Sequence, residues 1–363
     1  MGPLAGVRII ELVGIGPGPF AGMMLADMGA EVIMVDRAGP ASPTDFKVDI
    51  NRRGKRSIAL DLKSDDGKEV FFKLCETADA LFEGFRPGVM EKLGLGPDEV
   101  AVRNEKLVYG RMTGWGQTGP LAKTAGHDIN YIALSGALHA MGPADGPPLA
   151  PLNLVGDYGG GGMMLAFGLV CAILEARTSG KGQVVDTSMV EGSSALMSIF
   201  HSLMASHRWA PARGINLLDG GAHFYGTFET ADGHYVSFGA IEPQFMQVFV
   251  DRAGLDESWM QKHMNPGEWK NLKVELTEVF KSKTRAEWQT LLDGTDACFA
   301  SILPFWEAHK HPHNVARESF VEIDGTIQPA PTPKFSRTSP NTPHGPAAKG
   351  ADTDTILKEL GLA

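Results

Sequence analysis

The opening of the chain constrains its fold most. Val7 to Val13 is an apolar run that reads as a buried strand. The loop GIGPGP follows, then a predicted helix from about Phe20 to Met28 that Gly29 stops. A second strand runs from Glu31 to Val35 and ends at Asp36. Strand, loop, helix and strand in this order make a parallel βαβ unit. An acid about twenty residues past the glycines imitates a dinucleotide-binding fingerprint. That fingerprint needs a small residue where Pro19 sits, and Pro17 and Pro19 each remove an N–H that would hold phosphate. The expectation is a Rossmann-like unit without NAD.

The alternation continues. Strands are predicted at SIALDLKS, Ala78 to Phe85 and Leu107 to Met112, with a short helix through Leu93. This predicts a parallel sheet with helical faces, whose ligands bind beyond the C-terminal strand ends. Arg37, Arg86 and the TGWGQTGP loop belong there. Later, an apolar helix runs to about Arg177, SGKGQVVDTSM gives a turn and a strand, and one long helix spans about Asp186 to Ser206. Met163, Met164, Met189, Met197 and Met204 read as packing, although an adaptable thioether also suits a variable apolar ligand.

A chain of 363 residues suits two domains. His207 to Gly221 reads as a linker. A second domain then opens with a hairpin, Phe224 to Thr230 and His234 to Gly239, around Ala231-Asp232-Gly233. Glu242 in GAIEPQF precedes a Pro-led helix, where a carboxylate also suits the helix dipole. Helices are predicted over about Pro266 to Lys283 and Thr284 to Leu292, with a strand from Asp296 to Ile302. The Pro-rich tract from Gln328 to Pro346 is an extended return, and a last helix from Thr353 to Leu360 is expected to dock on the first domain.

The net charge of −10 argues against general nucleic-acid binding and against an anionic membrane surface. It leaves room for a local basic pocket. Arg52, Arg53, Lys55 and Arg56, with Arg37 upstream and Lys63 downstream, are either a solvated sheet edge or a phosphate site. Cys75, Cys171 and Cys298 show no pairing or metal spacing, which predicts a reducing compartment. No signal-peptide layout, uninterrupted transmembrane-length run or peroxisomal tripeptide is visible, so the expected location is cytoplasmic. His309, His311 and His313 lack a supporting carboxylate or Cys, and no metal is expected.

The chemistry concentrates between Ala125 and Ala176. His127 follows Gly126 and opens a helix-like run, AGHDINYIALSG. Asp157 follows Gly156 and precedes four glycines in LNLVGDYGGGGM. A His and a carboxylate beside glycines suit proton transfer at carbon, with nearby N–H groups holding an oxyanion. The bland alternative is that each caps a helix.

These segments carry a resemblance. ELVGIGPGPFAGMMLADMGAEV, NRRGKRSIALDLKS, EGFRPGVMEKLGLG, YGRMTGWGQTGP, AGHDINYIALSG, LNLVGDYGGGGM and GAIEPQF together resemble the family III CoA-transferase (CaiB/BaiF-like) superfamily, and within it the α-methylacyl-CoA racemases. The resemblance spans essentially the whole chain. It implies an α/β fold: a Rossmann-like large domain from both chain ends, a smaller α+β domain, and an interlocked homodimer. Residues 1–205 would form the first part of the large domain, 206–221 a linker, 222–320 the small domain, and 321–363 the return segment. The resemblance implies catalytic roles for His127, Asp157 and Glu242. It places CoA contacts on Arg37, Leu60, Asp61, Leu62, Lys63, Gly84, Phe85, Arg86, Gly126, Asp128, Ile129, Asn130 and Tyr131. Lys92 stands where relatives such as the mycobacterial racemase use Arg, so the charge is kept but the planar fork is lost.

The implied reaction is interconversion of (R)- and (S)-2-methylacyl-CoA thioesters by 1,1-proton transfer through an enolate. No cofactor is implied, because CoA is part of the substrate. The alternative is a family III CoA-transferase with Asp157 as nucleophile.

Overall fold

Six strands of the first half and its continuation form one all-parallel sheet in the order β3-β2-β1-β4-β5-β6. The structure is a computed structural model and describes residues 2–39, 46–340 and 343–362. In chain order the elements are β1 (Arg8–Leu12), α1 (Pro17–Asp27), β2 (Glu31–Arg37), β3 (Arg56–Leu60), α2 (Asp65–Glu76), β4 (Ala80–Glu83), α3 (Val89–Leu93), α4 (Pro97–Arg103), β5 (Val108–Thr113) and α5 (Asp128–Leu134). A π-helix (Leu154–Met163) runs into α6 (Met164–Ser179), followed by β6 (Val184–Ser188) and α7 (Met189–Leu196). The winding reverses between β1 and β4, and crevices for ligands open at such reversals beyond the C-terminal strand ends.

Burial on both faces explains the near-continuous apolar strands. Ile9, Ala80, Phe82 and Val108 pack toward α1 and α6 with Leu25, Leu165 and Leu169. Ile10, Ile33, Ile58 and Leu81 face the other way, with Phe71, Leu74 and Met90. The last helix (Thr353–Glu359) adds Ile356 to this second cluster. Its start covers β3: Ser57 N–H donates to the Asp352 carboxylate and Ala59 N–H to Thr353 Oγ1. A sheet edge is thereby paired rather than left open.

Several boundaries differ from the sequence reading. α1 begins at Pro17, three residues before the expected Phe20, because proline suits the first helical turn. The helix expected over Asp186 to Ser206 is two, α7 and α8 (Ser198–Ala205), separated at Met197. Asp157 caps nothing, since it lies inside the π-helix that starts at Leu154. That helix and α6 form a continuous 26-residue segment whose most apolar 18-residue stretch has a mean hydropathy of 1.6, long and apolar enough to cross a membrane by length and composition. The glycines and Asp157 hide this in the sequence. Leu165, Leu169 and Ile173 of the segment pack in the sheet core, while Phe167 and Leu174 are exposed.

Four glycines bring this helix against its neighbours. A Cβ on Gly192 of α7 would stand 1.8 Å from the Gly160 carbonyl oxygen, so only glycine permits that approach.

The chain divides into two compact units. The first comprises Met1–Ala137, Pro151–Met197 and His313–Ala363, and the second Leu138–Ala150 and Ser198–Pro312. The first unit also holds the hairpin β10 (Phe320–Ile323) and β11 (Thr326–Pro329). Residues 341 and 342 of the Pro-rich return lie outside the described residues. In the second unit, β7 (Gly226–Glu229) and β8 (Tyr235–Phe238) form the expected hairpin, and β9 (Phe299–Ser301) joins β8 antiparallel. Its core holds Phe228, Phe238, Phe249, Phe280 and Trp288. There α9 (Pro243–Ala253) starts at the Glu242 N-cap, and the helix Arg285–Leu292 at a Thr284–Glu287 capping box.

Candidate active site

Two cavities open at the C-terminal ends of the strands in the first unit. One, of about 420 Å³, is lined by Leu12 at the end of β1, Gly14–Gly16 of the following loop, Pro17–Pro19 of the first turn of α1, Gly84–Pro87 after β4, Met112–Trp115 at the end of β5, Gly126, His127, Tyr131 and Asp157. The other, of about 490 Å³, is lined by Asp36–Ala38, Leu60–Lys63, Phe85, Val89 and Leu93. Leu12 and Phe85 line both, so the two are adjacent.

His127 is the exposed N-cap of α5. Its backbone N–H donates to Asn130 Oδ1 at 3.0 Å, which fixes the turn that presents the ring. Tyr131 is buried behind it, its hydroxyl donating to the Gly126 carbonyl and its ring edge-on to Trp115 at 4.8 Å. Asp157 is half-buried in the π-helix and accepts from Asn153 Nδ2 at 3.2 Å. Burial raises its proton affinity above the ordinary carboxylate range. The neighbouring Asp128 charge pushes the same way, while Asn153 and His127 oppose it. Tyr131 is likewise raised, by burial first and by Asp157 second.

The arrangement thus puts an imidazole and a carboxyl group with increased proton affinity in one cavity at a sheet crossover. Groups of this kind, facing one cavity, can serve as a general acid and a general base.

The structure brings most of the expected contact residues to these cavities and leaves some outside them. Arg37, Leu60, Asp61, Leu62 and Lys63 line the second; Gly84, Arg86, Gly126 and Tyr131 line the first; Phe85 lines both. Lys92 is exposed on α3, and Ile129 and Asn130 are exposed on α5. Asp128 is buried, its carboxylate accepting the Asp157 N–H. Glu242 belongs to the second unit, exposed at the start of α9.

The basic cluster divides sharply from the other cations. Arg52 pairs with Asp36, Arg53 with Asp27, Lys55 with Glu11, and Arg56 with Glu31 and Glu359. Its charges are therefore neutralised within the fold, and Arg53 and Lys55 are buried, so these two belong neither to a solvated edge nor to an open phosphate site. Arg37, Lys63 and Arg86 enter no ion pair among the described residues, and all three line the cavities. Unspent cations beside a cleft suit an anionic, phosphorylated ligand.

Sequence reasoning missed two supports. Asn153 holds Asp157 from four residues upstream, a spacing that a helix beginning before Asp157 would have revealed. Glu83, buried at the end of β4, accepts the Phe85 N–H and binds Arg111, so it holds the loop shared by both cavities. A lone acid at a strand end gave no signal for that role.

Comparison with known proteins identifies the family. The model for CoA-transferase family III matches residues 4–353, and the chain belongs to that family. It is 46% identical to mouse alpha-methylacyl-CoA racemase over 99% of this chain and 94% of the mouse protein. Against human alpha-methylacyl-CoA racemase the identity is 44%, with the same coverage of each. The crystal structure of a CaiB/BaiF family protein from Brucella suis shares the fold, with a TM-score of 0.83 at 23% identity over 99% of each chain.

Proposed function

We propose that this family III chain interconverts the (R) and (S) forms of a 2-methylacyl-CoA thioester by moving the proton at C2. The observation that carries the reading is the shared cavity of His127 and Asp157, in a chain whose mammalian relatives bear the racemase name. One group takes the C2 proton while the other returns a proton to the opposite side of the planar enolate. The electron pair of the broken C–H bond passes to the thioester oxygen and back. Roles exchange with substrate configuration. Glu242, on the second unit, keeps the supporting role that the family resemblance implies.

A thioester α-proton is far less acidic than any side chain, so fixed donors must stabilise the enolate oxygen, each contributing about 3–4 kcal/mol. The glycines after Asp157 are poor candidates because they lie within the π-helix. The first turn of α5 is the better source, since the N–H groups of Asp128 and Ile129 have no acceptor within their own helix.

Arg37 and Lys63 are assigned to the CoA phosphates, Leu60, Asp61 and Leu62 to the nucleotide, and Gly84, Phe85 and Arg86 to the passage between cavities. Lys92 remains a candidate outer phosphate contact. CoA enters as part of the substrate, and the reaction calls for no resident cofactor. The Rossmann-like body is assigned to both chain ends and the assembly to an interlocked homodimer, supported by the exposed apolar face with Phe167 and Leu174. A reducing compartment, the cytoplasm, fits three unpaired cysteines.

The family description supports a second reading, in which Asp157 attacks the thioester and CoA passes to another acid. Incubation of each pure 2-methylacyl-CoA enantiomer in deuterated water, without acceptor acid, separates the two. The racemase incorporates α-deuterium and loses configuration. Absence of exchange, with CoA moving to an added carboxylic acid, establishes the transferase.

A further inference from the structure

Asp128 opens α5 directly after His127, yet its side chain turns away from the first cavity's lining. It is 7% exposed. One carboxylate oxygen, Oδ2, accepts the Asp157 backbone N–H at 2.7 Å. The other, Oδ1, is buried with no hydrogen-bond partner among the described residues. A buried carboxylate left half satisfied is costly, and packing alone would favour a neutral residue. The backbone is shaped to accept it: a Cβ on Gly156 would stand 2.5 Å from Asp128 Oδ2, so only glycine lets the carboxylate lie this close.

Resting on the reading of Asp157 as a proton carrier, we propose that Asp128 is its positioning residue. The Asp128 carboxylate anchors the Asp157 backbone and places a second negative charge beside it, which keeps Asp157 able to hold and return a proton.

The surroundings leave this charge little competition. On the α5 side, His127 favours the ionised Asp157, and the Tyr131 phenol is engaged by Gly126. Acids on the other elements packed against the π-helix are occupied elsewhere: Asp27 of α1 by Arg53, Glu191 of α7 by Ser188, and Asp186 of β6 by the Gln117 N–H. Arg111 of β5 is held by Glu83 and Glu91, and Arg177 of α6 by Asp79. Glu175 of α6 enters no ion pair among the described residues. The raised proton affinity of Asp157 has burial as its main cause, with Asp128 adding to it.

The test is a carbon-13 NMR titration of the Asp157 carboxyl in wild type, Asp128→Asn and Asp128→Ala, assigned with Asp157→Asn. Asparagine keeps an acceptor for the Asp157 N–H but removes the charge. The Asp157 midpoint should fall by about one pH unit in both variants. Hydrogen exchange at the Asp157 N–H should stay slow in Asp128→Asn and quicken in Asp128→Ala. Gly156→Ala displaces the same carboxylate by another route and should lower the midpoint too. An Asp157 midpoint unchanged across the folded variants overturns the proposal. The readout needs no turnover: a wild type without α-proton exchange overturns the racemase reading, while the titration still decides the part played by Asp128.

Discussion

Lys55 and Glu11 form an ion pair at 2.5 Å with side chains 0% and 1% exposed. Lys55 also donates to the Pro19 carbonyl at 2.9 Å, so one ammonium ties β1 to the first turn of α1, where Pro19 lines the first cavity. Removing one partner strands the other charge in the core. Lys55→Met should lower stability by about 3–5 kcal/mol. Lys55→Met with Glu11→Leu should recover most of it, because the pair's desolvation cost disappears as well. Urea unfolding of the three proteins checks this, and equal stability of single and double variants would count against it.

The division between spent and unspent cations yields a second prediction. Arg37→Ala or Arg86→Ala should raise KM for an acyl-CoA about 10- to 100-fold, the loss of a charged hydrogen bond of about 1.5–3 kcal/mol. If a phosphate is read, the penalty shrinks with a dephosphorylated analogue. Arg53→Met should instead lower stability and leave KM in place, since Arg53 is buried against Asp27, Gln328 and the Pro329 carbonyl. A KM defect in folded Arg53→Met would contradict the division.

Much of the fold was legible because strand burial on two faces writes long apolar runs, and because Gly29 and the loop glycines punctuate them. The π-helix was not. Its Gly160 meets Gly192 across 32 residues, a packing fact without a local period. The break at Met197 carries neither Gly nor Pro, so two helices read as one. For the site, Gly-His-Asp and Gly-Asp-Tyr marked His127 and Asp157, but the use of each cation depends on distant partners. Arg56 meets Glu359, 303 residues away. Asp128 likewise reads as a helix-start acid until Asp157 is placed beside it.

The second unit carries a pH prediction. His223 is fully buried, neither ring nitrogen has a hydrogen-bond partner among the described residues, and its ring lies 5.5 Å from His263. Burial, with a smaller contribution from His263, pushes its pKa down to about 3. The unfolded chain therefore binds this proton below about pH 6.5 while the folded chain does not. The stability is fully present above pH 6.5 and falls as pH drops toward 3, by up to about 1.4 kcal/mol per unit from this group. His223→Phe should flatten unfolding free energy between about pH 6.5 and 4.5. An identical slope in both proteins would refute the assignment.

The last prediction concerns His127 and Asp157, which line the first cavity together. If His127 and Asp157 serve opposite faces of the enolate, each variant should affect the two enantiomers differently. His127→Ala should abolish racemisation yet retain α-deuterium exchange from the enantiomer whose proton Asp157 removes. Asp157→Asn should retain the complementary exchange. General acid–base groups contribute about 10²–10⁴-fold, so a loss below about tenfold argues against a direct role. Glu242→Gln should cost less than either, as a group acting in support. The Tyr131 hydroxyl, engaged by the Gly126 carbonyl, is not expected to substitute for a missing base. The measurement is mass-resolved exchange on each pure enantiomer. Loss of exchange from the same enantiomer in both variants, with the other untouched, would place the two groups on one face and defeat the two-base scheme.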